Sequence, residues 1–219
     1  MPTRILIINP NSTAAMTAEI AEAASAFAHT GTSITAVNPP DGPASIQGPE
    51  DGKACLPGLF KLFDETLNDQ TYDAVLIACF DDTGLFDLKK RVSIPVIGIG
   101  EAAFHAAAML GRTFSTVTTL SVSIPVIENN IKAYGFADQS IRVRASEVPV
   151  LEVGQQTRQI IHAEARRACE EDKCDVIVLG CAGMAGLAQS LSTQLERPVV
   201  DGVSAGMGFC QTLANMHAA

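Results

Sequence analysis

The sequence lacks any apolar run near the roughly 18 residues a membrane-spanning helix requires; stretches such as Ala74–Phe80 stop far short. It also lacks concentrated positive charge. Lys and Arg total 15 against 24 Asp and Glu, a net charge of −9, and the longest basic run is Lys89-Lys90-Arg91. A nucleic-acid grip rests on a basic footprint, so neither nucleic acid nor membrane is an expected partner. No C-x-x-C motif is present, which argues against a thioredoxin-like redox role. A zinc site would want four ligands with short paired spacings, yet the four histidines (29, 105, 162, 217) are scattered along the chain. The N-terminus shows no secretion signal: its apolar run Ile5–Ile8 ends in Asn9-Pro10-Asn11 and not in a small-residue cleavage site. A cytoplasmic location is therefore expected, with the six cysteines reduced.

What the sequence does contain is a sizeable core. The chain has 219 residues and is 47% hydrophobic, enough for one large globular domain or two small lobes. Short β-branched runs alternate with Ala-rich stretches of helical periodicity. Strands are expected at Ile5–Asn9, Ser33–Asn38, Ala74–Cys79, Val96–Ile99, Phe114–Thr118, Ile141–Ala145, Val176–Gly180 and Val199–Asp201. Helices are expected at Thr13–Ala28, Lys53–Asn68, Glu101–Leu110, Ile124–Tyr134, Thr157–Asp172 and Ala185–Leu195. Several strand runs are apolar throughout, as in parallel sheets covered on both faces, and the alternation gives an α/β class. Pro39–Gly52, with four prolines and three glycines, reads as a long loop that is either a surface connection or a lid.

The most informative feature is a self-match. Residues 72–85, YDAVLIACFDDTGL, align with residues 174–187, CDVIVLGCAGMAGL, at a constant offset that brings Cys79 onto Cys181 and Gly84 onto Gly186. Pro95-Val-Ile-Gly then matches Pro198-Val-Val-Asp with a one-residue slip. Two related halves each carry a Cys at the C-terminal end of a buried strand, where open α/β sheets place ligands. A free Cys is often just a small buried hydrophobe, but packing alone has no need for a matched pair. Each Cys precedes a turn and a helix start, where backbone N–H groups and the helix dipole favour thiolate. Cys55, Cys169, Cys174 and Cys210 lack this placement and read as structural.

Two opposed thiols suit two-base proton transfer at carbon: one thiolate removes a proton and the opposite thiol delivers one to the other face. If the carbon acid lies roughly ten units above a thiol of pKa about 8.5, deprotonation is uphill by about 14 kcal/mol. The enolate then needs oriented donors. Asn9, Asn11, Ser12 and Thr13 after the first strand, and Thr118 and Thr119 after the fifth, are the candidates, although Asn11-Ser12-Thr13 also reads as helix capping. A Cys–His nucleophile pair stays open, but it leaves the second Cys without a role.

These residues carry a resemblance. INPNST at 8–13, CFDDTGL at 79–85, GIGEAA at 98–103, VLGCAGM at 178–184 and PVVDGV at 198–203 resemble the hydantoin racemase group of the aspartate/glutamate racemase superfamily, which includes allantoin racemases. The resemblance spans nearly the whole chain. It implies an α/β fold of two pseudo-twofold-related flavodoxin-like lobes with parallel sheets, the active site in the cleft between them, and no metal or organic cofactor. It implies Cys79 and Cys181 as the catalytic pair. It places substrate-binding positions on Asn11, Ser12 and Thr13, on Phe80 and Asp81, on Thr118 and Thr119, and on Ala182 and Gly183. Lobe one would comprise residues 1–97 plus 203–219 and lobe two residues 98–202, with the C-terminal helix returning to lobe one. A homo-oligomer is also implied.

Eight strand–helix units also fit a (β/α)₈ barrel with Cys79 and Cys181 across its mouth; the resemblance decides for two lobes. Independently of it, loops 9–13, 79–85, 118–122 and 180–187 contain no Lys, Arg or His. A dicarboxylate is better met by an Arg clamp, so a neutral or weakly acidic cyclic ureide, such as a 5-substituted hydantoin, is the expected small-molecule substrate. Allantoin racemase, aspartate or glutamate racemase, maleate-type cis-trans isomerase and a non-catalytic sensor are the rival readings. Asp81 and Asp82 read first as caps of the following short helix and second as acceptors for substrate N–H groups. Glu101 is expected at a helix start, favourable to the dipole.

Overall fold

The computed structural model describes residues 3–217. All eight expected strands form, in two separate sheets. The first contains β1 (Arg4–Ile8), β2 (Ser33–Val37), β3 (Ala74–Ile77) and β4 (Val96–Gly98), and the second β5 (Phe114–Thr118), β6 (Ser140–Ala145), β7 (Val176–Gly180) and β8 (Val199–Asp201). Every pairing is parallel. The strand orders, β2-β1-β3-β4 and β6-β5-β7-β8, are the same order written twice. The sequence repeat is thus a repeat of topology, with β3 equivalent to β7 and β1 to β5. Two open sheets exclude the closed barrel.

The helices are α1 (Ala14–Ser25), α2 (Pro49–Asp69), α3 (Leu85–Lys89), α4 (Ile99–Leu110), α5 (Ile124–Ala133), α6 (Arg158–Arg167), α7 (Ala188–Leu195) and α8 (Gly202–His217). The helical pattern expected over 157–172 divides into α6 and a π turn at Ala168–Asp172. No helix among the described residues is long and apolar enough to cross a membrane. The continuous apolar runs follow from burial on both sheet faces. Ile5, Ile7, Ala74 and Leu76 join one cluster, while Leu6, Ile8, Val75 and Ile77 join a second with Leu59 and Phe63 of α2.

Two helices exchange places between the halves. α4 follows β4 of the first sheet but packs on β7 and β8 of the second; α8 follows β8 but packs on β3 and β4 of the first. They also pack on each other, and a Cβ on Gly202 would stand 2.3 Å from the Ile99 carbonyl oxygen. The first core cluster accordingly runs without a break from Ile5 through Phe104 to Val178. The lobe limits read from the sequence include residues 1–2 and 218–219, which lie outside the described residues.

Pro39–Gly52 is not loop to its end, because α2 begins at Pro49. Proline at the first helical position forfeits no intrahelical hydrogen bond. Gly48, at φ 91°, supplies the preceding left-handed turn, and Glu50 and Asp51 favour the helix N-terminus. Residues 39–48 then form a strap that crosses between the halves. Ser12 Oγ and Thr13 Oγ1 donate to carbonyls at Gly42 and Ala44, and at the far end Val150 N donates to Gln47 Oε1 at 2.9 Å.

Candidate active site

The C-terminal ends of β1, β3, β5 and β7 converge on one cleft, of about 400 Å³ including its open mouth. Its wall includes both thiols, Cys79 and Cys181, together with Asn9, Asn11, Phe80, Asp81, Thr118, Thr119 and Ala182. Of the residues expected at the site, Ser12, Thr13 and Gly183 do not line it. Ser12 and Thr13 hold the strap instead, and Gly183 lies behind the Cys181 sulfur. Sequence reasoning missed Met16, Ile46, Ser123 and Val150. Ile46 lies on the strap and Val150 on a 3-10 turn beyond β6, and no motif marks either.

The two cysteines occupy matching local frames. Each opens a turn in which the amide three residues on returns to its carbonyl: Asp82 N to Cys79 O at 3.0 Å and Met184 N to Cys181 O at 3.1 Å. The backbone N–H groups two residues on, Asp81 for Cys79 and Gly183 for Cys181, pull each thiol towards ionisation, and Cys79 Sγ also lies 3.8 Å from Thr83 Oγ1. Those N–H groups favour thiolate, as expected, but burial outweighs them. Desolvation raises Cys79 well above the ordinary thiol value, and the Asp81 charge adds to it. Desolvation, with a smaller contribution from Asp81, pushes Cys181 up to about 11. At both cysteines burial thus works against the pull of the backbone N–H groups towards thiolate.

The candidate donors divide by whether their hydrogen bonds are already made. Asn9 Nδ2 is committed to Asn11 Oδ1 at 2.9 Å and Thr17 Oγ1 at 3.0 Å, and Thr118 Oγ1 to Gly180 O at 3.0 Å. Asn11 Nδ2 meets only the weak acceptor Met16 Sδ, at 3.2 Å. Among the described residues the Thr119 hydroxyl makes no hydrogen bond although it lines the cleft. Side-chain capping of α1 is absent; the Asn11 carboxamide accepts from Thr13 N at 2.9 Å, closing an Asx turn before the helix.

The acidic pair behaves differently from expectation. Neither Asp81 nor Asp82 caps α3, whose N-terminus has no side-chain cap. Asp82, at φ 48°, turns away and caps α4, accepting Gly100 N at 3.0 Å and Glu101 N at 2.7 Å. Glu101 does stand in the first turn of α4, where Lys89 reaches its Oε2 at 2.8 Å. Asp81 stays on the cleft wall, its Oδ2 accepting from Ser123 Oγ at 3.4 Å. Burial pushes both aspartates up to about 7.

The family described as Asp/Glu/Hydantoin racemase matches residues 5–210. The chain belongs to this family. A hydantoin racemase of Rhizobium meliloti is 41% identical over 95% of this chain and 88% of its own. One of Pseudomonas sp. (strain NS671) is 37% identical over 97% and 86%. The allantoin racemase structure from Klebsiella pneumoniae superposes with a TM-score of 0.94 at 39% identity, covering 98% of this chain and 88% of that one. The two-lobed racemase fold expected from the motifs is the fold observed, and the protein is a racemase acting on small molecules.

Proposed function

We infer that the protein interconverts the enantiomers of 5-substituted hydantoins, without a cofactor, by proton transfer at C5 between Cys79 and Cys181. The observation that carries this reading is the matched pair of thiols, set in equivalent turns at equivalent strand ends on one cleft. One sulfur, as thiolate, takes the C5 proton from one face of the ring. The opposite thiol returns a proton to the other face, and the roles interchange for the reverse reaction. Each thiol must serve as thiolate in one direction and as thiol in the other, and equivalent turns hold both at the cleft.

Burial serves the chemistry in a specific way. A thiolate of pKa about 11 is roughly two units more basic than an ordinary one, which removes about 3 kcal/mol from the uphill step. The smaller thiolate fraction at neutral pH offsets that gain, so the rate rises with pH. The remaining barrier falls to donors aimed at the enolate oxygen. Asn11 Nδ2 and Thr119 Oγ1 at the ends of the equivalent strands β1 and β5 fit this role, as do the Phe80 and Ala182 amides beside each Cys. Ser12, Thr13 and Gly183 contribute from behind, through the strap and through the Cys181 turn.

The ring fits the wall chemistry. The C5 hydrogen is acidified by the adjacent carbonyl, the enolate is planar and open to both faces, and no basic side chain lines the cleft among the described residues. Allantoin, itself a 5-substituted hydantoin, falls within the proposed class, and the 39% identity to an allantoin racemase supports its inclusion. The family likeness and six free cysteines support a cytoplasmic homo-oligomer. The test is polarimetry with proton NMR on enantiopure 5-alkylhydantoin and allantoin in D₂O. Rotation decaying to zero with deuterium entering C5 is expected; unchanged rotation with both substrates overturns the reading.

A further inference from the structure

Asp81, two residues after Cys79, is the one acidic side chain on the cleft wall among the described residues, and it is 8% exposed. A buried carboxylate is ordinarily paired with a cation or well supplied with hydrogen bonds. Here, among the described residues, a single neutral donor reaches it: Ser123 Oγ, from the opposite lobe, at 3.4 Å to Oδ2. Among those residues no donor reaches Oδ1. The loop itself is firmly held, because Asn130 Nδ2 donates to the Asp81 carbonyl at 2.8 Å and the adjoining Asp82 is fastened to α4. The carboxyl is thus placed rigidly in the cleft with unused acceptor capacity, and its field reaches both Cys79 and Cys181.

We propose that Asp81 sets the charge specificity of the cleft, accepting a hydrogen bond from a ring N–H of a neutral ureide and turning away ligands that carry a carboxylate. This rests on the reading of the protein as a hydantoin-type racemase and adds to it the residue that separates ureides from dicarboxylates. An N–H donor satisfies the open oxygen. A second carboxylate in the same small space would be a like charge without an intervening cation, a repulsive element of the kind that makes binding selective. Bringing a cation into the cleft would serve a dicarboxylate, and the wall holds none among the described residues.

The test compares two hydantoins of nearly equal size, one bearing 5-carboxymethyl and the other 5-carbamoylmethyl, racemised at the same carbon at pH 8.5. Wild-type enzyme is expected to favour the neutral amide by at least roughly tenfold in kcat/KM. Asp81→Asn, which keeps the shape and removes the charge, is expected to bring that ratio near one. Asp81→Ser, with circular dichroism to establish folding, should do the same. A second probe is methylation of each ring nitrogen in turn: one methyl group should raise KM about tenfold or more in wild type and add little in Asp81→Ser. If wild type racemises hydantoins but shows no charge preference, or if both variants keep it, the assignment of Asp81 is overturned and the racemase reading stands. If wild type leaves every hydantoin unchanged, both fall together.

Discussion

Tyr134 Oη donates a 2.8 Å hydrogen bond to Asp82 Oδ2, joining the residue after α5 to the loop that carries Cys79. The same carboxylate accepts the first amides of α4. Asp82 therefore anchors the cleft loop of one half to two helices of the sequence segment that builds the other. Space there is minimal: a Cβ on Gly100 would lie 2.4 Å from the Phe80 carbonyl oxygen.

Tyr134→Phe should test this anchor through stability. Removing a hydrogen bond to a buried charged group is expected to cost about 1.5–3 kcal/mol. Asp82, pushed up to about 7 by burial, is protonated at pH 5, where its bond to the phenol is no longer charge-assisted and is roughly half as strong. Urea unfolding of the variant should show a larger loss at pH 8.5 than at pH 5. An equal loss at both values would mean that the phenol serves packing alone.

How far the sequence discloses the molecule can be judged from particular residues. The central strands are legible because each is a buried run whose faces are both covered, as Ile5–Ile8 shows, while the more exposed edge strands β2 and β6 show through their β-branched residues. The cysteine pair is legible because the repeat places it, and Asn11 and Thr119 because they stand in the loops that follow β1 and β5. Pro49 misled, since proline reads as a breaker unless its position at the first turn is known. The reach of Gln47 to Val150, and with it the presence of Ile46 and Val150 at the cleft, depends on how the halves dock. Local pattern carries no record of that. The same holds for Asp82, whose partners at Gly100, Glu101 and Tyr134 lie on α4 or just after α5, helices that local periodicity cannot orient. Thiol ionisation is only half legible for a related reason: the N–H groups are visible in local sequence, whereas burial depends on how the halves close on the cleft.

Asp81 should lower stability in the folded state. Its folded pKa, about 7 against an ordinary 3.8, means that between about pH 4 and 7 the folded chain holds a proton the unfolded chain has released. Stability therefore falls as pH rises through this window and levels off above it. Asp81→Asn removes that dependence. The variant should gain about 1–3 kcal/mol relative to wild type on going from pH 4 to pH 8, read as a widening gap between their melting temperatures. A gap that stays constant with pH would show that Asp81 ionises as freely in the folded chain as in the unfolded one.

The two catalytic candidates, Cys79 half-buried and Cys181 buried, should react as desolvated thiols. Since Cys79 and Cys181 are both raised, the latter to about 11, their thiolate fraction grows about tenfold per pH unit across neutrality. Iodoacetamide labelling, resolved cysteine by cysteine by peptide mass, should accelerate about tenfold from pH 7 to 8 and again from 8 to 9. A plateau by pH 8 at either residue would contradict desolvation as the controlling effect. Cys79→Ser and Cys181→Ser should each abolish racemisation, with C5 exchange retained for one enantiomer in either variant marking the face its remaining thiol serves. Full racemase activity in either would sink the two-base scheme.

Gln47 is the strap's hold on the second half. Its Oε1 accepts Val150 N at 2.9 Å, and both Ile46 before it and Val150 itself line the cleft. The near end stays fastened through Ser12 and Thr13, so Gln47→Ala frees the far end without detaching the strap. One hydrogen bond is worth about 1 kcal/mol, which corresponds to roughly fivefold in a binding constant. KM should rise by about that factor while kcat changes little, because neither thiol nor its turn touches Gln47. Proteolytic cleavage within 41–45 should quicken in the same variant and slow again when substrate is added. A fall in kcat at constant KM would instead show that the strap acts on the thiols rather than on substrate retention.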